Sequence, residues 1–530
     1  MMNQIATDTL NRLTHALQNQ PLVFNRGIER EALRVDPAGN LAKTPHPAAF
    51  GSKLTHPRIT TDFSESQLEL ITGVSQSGSE TLDSLEQIHR AVYQDLEDEI
   101  LWSASMPCVL QGDPNIPLAY YGESNLGRLK TTYRNGLGNR YGRSMQTICA
   151  VHYNFSLPES FWRILSATEN ATYSDSWRSA RYFDLMRNFR RFSWLPLFLF
   201  GASPAVCKSF VKGREHHLDV LDEGTLYLPG ATSLRSGDLG YNSSAQRDMV
   251  NVCYNSLDNY VSTLAEAIVT PYADYQAIGV EKDGQFLQVS DNVLQSEAEF
   301  YTTVRAKCVP GKGENFLSVL KKDGVQYIEV RLLDVNPYLP LGIDATEINF
   351  LDCFLLTCLL LDSPEHCDAL CASVSENQAL VVAEGQHTDL RLNDITQAPG
   401  SQQRSLAEWA KDVLQTVQQV AAWLDGQTAN KVYTTAVQQQ LDKVNDPSLV
   451  PSARILTDMR EQKIPYFRFA MNKALEHQAF FRANPLSPAE QAEYRDMAAA
   501  SVAEQQQIEA QPQLPFDTYL KNLIDQYRQL

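Results

Sequence analysis

Four segments of the 530-residue chain alternate apolar and polar side chains with the period of a β-strand. In the segment GIEREALRV this alternation places Glu29 and Glu31 on one face, because residues two apart in a strand point the same way. Leu33 and Val35 continue that face and indicate that it is partly buried. Two carboxylates so close together need a positive partner unless water surrounds them.

The segments TTDFSESQLELIT, ICAVHYNFSLP and VQYIEVRLLDVNP follow the same pattern. Their polar residues are Asp62, Glu69, His152, Asn154, Glu329 and Arg331. The apolar residues that alternate with them are Leu68, Leu70, Val151, Tyr153, Phe155, Ile328, Val330 and Leu332. A solvated sheet face explains any one of these strands. Taken together, carboxylates with a single imidazole favour a cavity that holds Mg²⁺ or Mn²⁺, whereas zinc fits less well because the sequence has no HExxH motif and no cysteine-rich set.

The order of elements along the chain favours the α+β class. Between about residues 20 and 350, short strand-like runs and helices alternate irregularly, unlike the steady repeat of a doubly wound parallel sheet. From about residue 362 the composition shifts to Ala, Gln, Glu and Leu, with an amphipathic helix at 405–424 and a capping box that begins at Ser487. We therefore expect a catalytic α+β core at residues 1–361 and a helical C-terminal region, 362–530, packed on it.

The composition excludes several classes of protein. A formal charge of −18 argues against a general binder of nucleic acid or of anionic membranes. The longest apolar runs are shorter than a membrane helix requires, and the N-terminus lacks the layout of a secretory signal. Nine scattered cysteines without a CxxC pair indicate reduced thiols and a cytoplasmic protein. We expect a buried packing role for Cys149, which could alternatively be redox-sensitive, and for the group Cys353, Cys358, Cys367 and Cys371.

No standard nucleotide loop is present, since the sequence lacks GxxxxGK[ST], a GxGxxG that opens a helix, and the kinase motifs. ATP would therefore be bound through metal ions and scattered basic residues. The candidates are Lys130, Arg134, Arg140, Arg143, Arg235 and Arg331. A solvated surface explains the first four equally well.

The chain resembles the bacterial type of glutamate–cysteine ligase. The resemblance rests on RGIEREALRV, THPRITTDFSESQLELIT, YGESNLGRLKTTYRNGLGNRYG, MQTICAVHYNFSLP, LPGATSLRSGDLGY and YIEVRLLDVNP, which keep the family's order and spacing over most of residues 20–350. It implies a glutamine synthetase-like fold, in which a curved, mostly antiparallel sheet forms a half-barrel. Its concave face would bind Mg²⁺, ATP and L-glutamate. The implied reaction joins glutamate to L-cysteine through a γ-glutamyl phosphate, the first step of glutathione biosynthesis.

The resemblance also implies a role for individual residues. The implied metal ligands are Glu29, Glu31, Asp62, Glu69, His152 and Glu329. Arg331, with Glu329, would be catalytic, and Arg331 would contact the transferring phosphoryl group of the nucleotide. Asn154 and Arg235 would orient glutamate, and Tyr133, Tyr241 and Tyr301 would form the pocket for cysteine.

Two alternatives remain open at this stage: a related γ-glutamyl ligase that uses another amine, and a catalytically inactive binding protein on the same fold. The second would be expected to lose metal positions, and all six are present. We expect a monomer. Replacing Glu29 or Glu329 with glutamine is expected to reduce activity while leaving thermal unfolding unchanged or raised, because repulsion among carboxylates is relieved.

Overall fold

The computed structural model describes residues 7–18, 20–107, 109–240, 244–250, 252–311, 313–396, 402–428 and 430–530. The strands are β1 (Asn25–Val35), β2 (Ile59–Thr61), β3 (Gln67–Ile71), β4 (Ile100–Leu101), β5 (Ala150–Ser156), β6 (Ala205–Cys207), β7 (Asp219–Val220), β8 (Thr225–Tyr227), β9 (Glu281–Lys282), β10 (Gln285–Phe286), β11 (Val304–Lys307), β12 (Tyr327–Asp334), β13 (Arg391–Asn393) and β14 (Gln403–Ser405). The helices are α1 (Thr7–Ala16), α2 (Gly78–Asp95), α3 (Asn125–Tyr141), α4 (Glu159–Thr168), α5 (Asp175–Phe192), α6 (Trp194–Phe200), α7 (Ser244–Met249), α8 (Leu257–Val269), α9 (Ala273–Ile278), α10 (Phe316–Asp323), α11 (Ala345–Leu360), α12 (Asp368–Glu384), α13 (Leu406–Asp425), α14 (Val432–Asn445), α15 (Pro451–Gln462), α16 (Tyr466–Ala483), α17 (Pro488–Glu509) and α18 (Phe516–Tyr527).

A seven-stranded sheet forms the centre of the molecule. Its strand order is β11–β12–β5–β1–β3–β2, and β4 pairs with the end of β1. All of these pairings are antiparallel. Within the described residues, β11 and β2 are its open edges, so the sheet is not a closed barrel. The expected α+β class with an antiparallel sheet is confirmed, whereas the half-barrel form stays a prediction.

The strand register places the predicted polar residues on one face. The cross-strand pairs are Glu29 with His152, Glu31 with Glu69, and Glu329 with Asn154. Residues directly opposite each other in an antiparallel pair project to the same side of the sheet. Leu33 and Val35, which continue this face, are fully buried. The alternation read from the sequence therefore predicted this face correctly.

An irregularity in β12 corrects one part of that prediction. Val330 lies opposite Tyr153, but the next pair along the strands joins Leu333 to Val151. Two residues of β12 thus face a single residue of β5, which is a β-bulge. The strict alternation expected through Leu332 is therefore wrong beyond Arg331, because a bulge shifts the phase of the residues that follow it.

The opposite face of the sheet packs against helices, with α2 on β1 and β3 and α6 on β12. A buried ion pair fixes the central strand on this side. Arg26 Nη2 lies 2.5 Å from Asp352 Oδ2 in α11, and the two side chains are 3% and 0% exposed. The hydroxyl of Tyr153 donates to Asp352 Oδ1 at 2.7 Å. This contact joins β1, β5 and α11 at one point.

Two further arginines of β1, Arg30 and Arg34, lie on the same side. Arg34 donates to Glu99 at 2.5 Å and to backbone carbonyls. Arg30 is buried, and its Nε and Nη1 have no hydrogen-bond partner among the described residues.

The last third of the chain is mainly helical and packs against the rest. Helices α13 and α14 contact α11, α16 contacts α2 and β4, and α18 contacts α3 and α8. The capping box predicted at Ser487 is confirmed. The division at residue 361 stays a prediction. No helix in the described part of the chain is long and apolar enough to cross a membrane.

All eight described cysteines are free thiols. Cys149, Cys353 and Cys358 are buried, as expected. The prediction is wrong for Cys367, which is exposed, and only partly right for Cys371, which is half-buried. The reason is position, since Cys367 precedes the first residue of α12 and lies outside the apolar interior.

Candidate active site

Glu29, His152 and Glu329 meet on the polar face of the sheet. One ligand atom from each lies within 4.8 Å of the others, and no other group of three potential metal ligands is this compact in the described chain. His152 Nδ1 is 3.4 Å from Glu29 Oε2 and 3.7 Å from Glu329 Oε1. The three side chains come from β1, β5 and β12, which are neighbours in the sheet. Two carboxylates and an imidazole at these distances form a candidate site for a divalent cation.

A second acidic group adjoins the first. Glu31 Oε1 lies 3.7 Å from His152 Nε2, so the same imidazole borders both groups. Burial, followed by the charges of Asp62 and Glu69, raises the pKa of Glu31 well above its usual value. Burial, followed by the charges of Glu29 and Asp62, raises the pKa of Glu69 to about 8. An added cation would lower both pKa values and favour the ionised form of these carboxyl groups.

The carboxylates of the compact group, Glu29 and Glu329, have lowered pKa values. Burial favours a higher pKa for Glu329, but nearby positive charges, chiefly those of Lys307 and Arg331, outweigh it and hold the pKa well below its usual value. For Glu29, burial is likewise outweighed, chiefly by the hydrogen bond from His152, and the pKa is lowered. The effect of glutamine at these positions on thermal unfolding stays a prediction, and the lowered pKa values favour a loss of stability, because each carboxylate has stabilising partners in the metal-free protein.

Three basic side chains surround Glu329. Arg331 Nη1 lies 3.1 Å from Glu329 Oε2, and Lys307 Nζ lies 3.6 Å from Glu329 Oε1. Arg305 pairs with Glu329 across the two strands. Sequence reasoning found Arg331 but missed Arg305 and Lys307. The alternation of Val304 and Ala306 with two basic residues could have revealed them.

Burial lowers the pKa of Lys307, but the charges of Glu329 and Glu29 outweigh burial and raise it above 10.5. Burial, followed by the charge of Arg331, lowers the pKa of His152, so the imidazole is neutral at physiological pH. A neutral imidazole can serve as a metal ligand. The site therefore combines a neutral nitrogen ligand with a permanently charged ammonium group.

The two residues expected to orient glutamate lie on this face or at its edge. Asn154 Nδ2 donates to Glu29 Oε1 at 2.9 Å, while its Oδ1 has no hydrogen-bond partner among the described residues. Arg235 Nη2 donates to the carbonyl of Arg331 at 2.6 Å, and its Nη1 lies 3.5 Å from Asp334 Oδ1. These contacts fix Arg235 against the end of β12.

Two of the three tyrosines expected in a cysteine pocket are described. Tyr301 accepts a hydrogen bond from Gln146 Nε2 at 3.2 Å. The carbonyl of Tyr133 accepts one from Gln295 Nε2 at 3.2 Å, which fixes that turn of α3. Burial raises the pKa of both hydroxyls, and the charges of Glu299 and Asp62 raise both pKa values further. Tyr241 lies outside the described residues.

The four basic residues Lys130, Arg134, Arg140 and Arg143, on α3 and just after it, make different contacts. Arg140 is fully buried and lies 3.0 Å from Glu299 Oε1, so it is structural rather than available to a nucleotide. Arg143 donates to the carbonyl of Ile116. Arg134 donates to the carbonyl of Asp62. The charged groups of Arg134 and Lys130 both lie over the ring of Tyr121. Only Lys130 and Arg134 of this cluster therefore adjoin the acidic face.

A sheet face with buried carboxylates, one imidazole and fixed guanidinium groups is typical of enzymes that handle phosphate groups with the help of hard cations. Comparison with known proteins defines the family. The family model for glutamate-cysteine ligase matches residues 10–381. The chain belongs to the glutamate–cysteine ligase family.

Individual relatives match over almost their whole length. A glutamate–cysteine ligase of Azotobacter vinelandii is 49% identical over 508 residues, which are 95% of each chain. One of Pseudomonas aeruginosa is 46% identical over 520 residues, 97% of each chain. The crystal structure of glutamate–cysteine ligase from Francisella tularensis in complex with AMP gives a TM-score of 0.90 at 34% identity, covering 96% of this chain and 99% of that one. A bifunctional glutathione synthetase from Pasteurella multocida gives a TM-score of 0.71 at 25% identity over 94% of this chain and 58% of its own.

Proposed function

We propose that the enzyme joins the γ-carboxylate of L-glutamate to the amine of L-cysteine at the expense of ATP, the first step of glutathione biosynthesis. The observation that carries this proposal is the compact group of Glu29, His152 and Glu329 in a chain of this ligase family. The open antiparallel sheet supports a glutamine synthetase-like half-barrel with this group on its concave side.

The reaction requires an activated carboxylate, since oxide is a very poor leaving group. A γ-carboxylate oxygen of glutamate attacks the terminal phosphorus of ATP, the bond to ADP breaks, and γ-glutamyl phosphate forms. The cysteine nitrogen then attacks the acyl carbon. The bond to phosphate breaks, the amine loses a proton, and the products are γ-glutamylcysteine, ADP and phosphate. Both steps require that two anionic reactants be held together, which the basic residues around Glu329 support.

The donor set fits Mg²⁺, or Mn²⁺ in its place. Glu329 Oε2 makes no hydrogen bond among the described residues, although Arg331 is near. Glu31 and Glu69 have raised pKa values that an added cation would lower. The residues that would hold the cations are Glu29, Glu31, Asp62, Glu69, His152 and Glu329. When bound, the cations neutralise charge on the phosphate oxygens of ATP.

Arg331 stabilises the transferring phosphoryl group as a fixed cation, because its contact with Glu329 holds the guanidinium at the edge of the acidic face. Arg235 and Asn154 orient glutamate, the first through its charge and the second through an amide oxygen that accepts no hydrogen bond from the described residues. Tyr133 and Tyr301 form the pocket for cysteine. These tyrosines decide whether the enzyme accepts cysteine or another amine.

Release of phosphate tests the proposal directly. Purified protein with ATP and Mg²⁺ is expected to release phosphate only when glutamate and cysteine are both present. Parallel reactions with 2-aminobutyrate, alanine and simple amines separate a cysteine ligase from a related γ-glutamyl ligase. His152→Asn is expected to lower the rate at least about 100-fold, while Glu493→Gln on exposed α17 is the control. Phosphate release that ignores glutamate or the amine would exclude a ligase.

Two further features belong to the proposal. Nine cysteines, of which all eight described are free, support a reducing compartment and hence the cytoplasm. The substrates are small molecules, and we propose a monomer as the active form.

A further inference from the structure

Lys307 occupies an unusual position beside the candidate cation site. It lies on edge strand β11, opposite Tyr327, and its Nζ is 3.6 Å from Glu329 Oε1. Its side chain is 23% exposed, whereas that of Glu329 is 2% exposed. Its charge acts on Glu29 as well as on Glu329. The ammonium group therefore lies beside Glu329 and carries a charge that also acts on Glu29.

The other cations around Glu329 are held more firmly. Arg305 Nη2 donates to the carbonyls of Ala298 and Phe300 at 2.7 and 2.5 Å. Arg331 lies 3.1 Å from Glu329 Oε2. The Lys307 contact, at 3.6 Å, is longer than a hydrogen bond, and lysine carries its charge on a flexible four-carbon stem. Of the three basic side chains around Glu329, Lys307 therefore requires the least free energy to move.

We propose that Lys307 is a resident counter-ion, which neutralises Glu29 and Glu329 in the metal-free protein and moves away when a divalent cation binds there. The inference rests on the metal site of the proposed function. A divalent cation and an ammonium group repel each other when they share the same two carboxylates. The displaced Nζ is then available to the phosphate oxygens of the nucleotide, because it lies on the same polar face as Arg331.

The variant Lys307→Met is expected to change the affinities for the metal ion and for the nucleotide in opposite directions. Lys307→Met removes the competitor for the carboxylates, so Mn²⁺ alone, measured by electron paramagnetic resonance, is expected to bind about tenfold more tightly than to wild type. The same variant loses a phosphate contact, so a non-hydrolysable ATP analogue with saturating Mg²⁺ is expected to bind about tenfold more weakly. In EDTA the variant is expected to melt at a lower temperature than wild type, and Mn²⁺ is expected to restore it.

Two control variants complete the experiment. Lys307→Arg keeps the charge and is expected to bind Mn²⁺ as wild type does. Lys322→Met removes an ammonium group that is 77% exposed and lies 3.8 Å from Asp323 Oδ1, and it is expected to change neither affinity. Weaker or unchanged Mn²⁺ binding by Lys307→Met, with normal binding by wild type, would overturn the inference and leave the proposed function intact. Absence of Mn²⁺ binding by wild type would overturn both.

Discussion

Replacing Glu69 with glutamine is expected to stabilise the metal-free protein. Burial, then the charges of Glu29 and Asp62, raise the pKa of Glu69 from 4.5 to about 8. The folded protein therefore keeps a proton that the unfolded chain releases between these two pH values. The carboxyl group opposes folding increasingly as the pH rises through that range. The penalty is absent below pH 4.5 and complete above about pH 8.

The size of this destabilisation follows from the pKa shift of Glu69. At pH 7 the pH lies about 2.5 units above the unfolded pKa, and at 1.36 kcal/mol for each unit the penalty is about 3 kcal/mol. For a 530-residue chain that unfolds cooperatively, 1 kcal/mol corresponds to roughly 1 °C in melting temperature. Glu69→Gln should therefore raise the melting temperature by about 3 °C at pH 7.

Thermal unfolding in EDTA, at pH 5 and pH 8, measures this directly. The gain should be small at pH 5 and largest at pH 8, and saturating Mg²⁺ should reduce it, because the variant lacks one expected ligand. Glu493→Gln, which removes an exposed carboxylate, is the matched control. A variant that melts below wild type in EDTA at pH 8, or that shows the same gain at both pH values, would refute the assigned burial and repulsion.

Two further predictions concern the buried ion pair and the binding of metal ions. Asp352→Asn leaves the buried Arg26 without its anion and is expected to cost about 3–5 kcal/mol in thermal unfolding. The double variant Arg26→Met with Asp352→Leu should recover much of that loss, and a single variant as stable as wild type would show that the pair contributes nothing. The affinity for Mn²⁺ in the absence of nucleotide should rise with pH from 6 to about 8 and then level, because Glu69 must release its proton to bind. Equilibrium dialysis against buffers of fixed ionic strength measures it, and an affinity that is flat over this range would argue against Glu69 as a ligand.

The sequence was sufficient to identify the polar face of the sheet, because the period of a strand is a local property. Glu29 and Glu31 share a face whatever their strand pairs with. The neighbours across the sheet were less accessible, since the register between β1 and β5 depends on the folded chain. The resemblance to a known family supplied that information for His152 and Glu329.

Features that arise from pairing or burial were beyond sequence reasoning. The bulge after Val330 appears only when β12 is set against β5. The sign of the pKa shift of Glu329 depends on Lys307, which lies in another strand. Arg140 looked like a candidate for nucleotide binding, and only its distance from Glu299, 159 residues later, shows that it is structural.

The pair between Arg26 and Asp352 also sets an order of events during synthesis. The two residues are 326 positions apart, so at about 5–20 residues per second the ribosome needs roughly 15 to 65 seconds to deliver the partner of Arg26. Throughout that interval the central strand carries a guanidinium group without its buried counter-ion. We therefore expect this side of the sheet to stay in contact with water or a chaperone until α11 emerges. Completion of α11 is then the step that supplies the anion and favours closure of the interior.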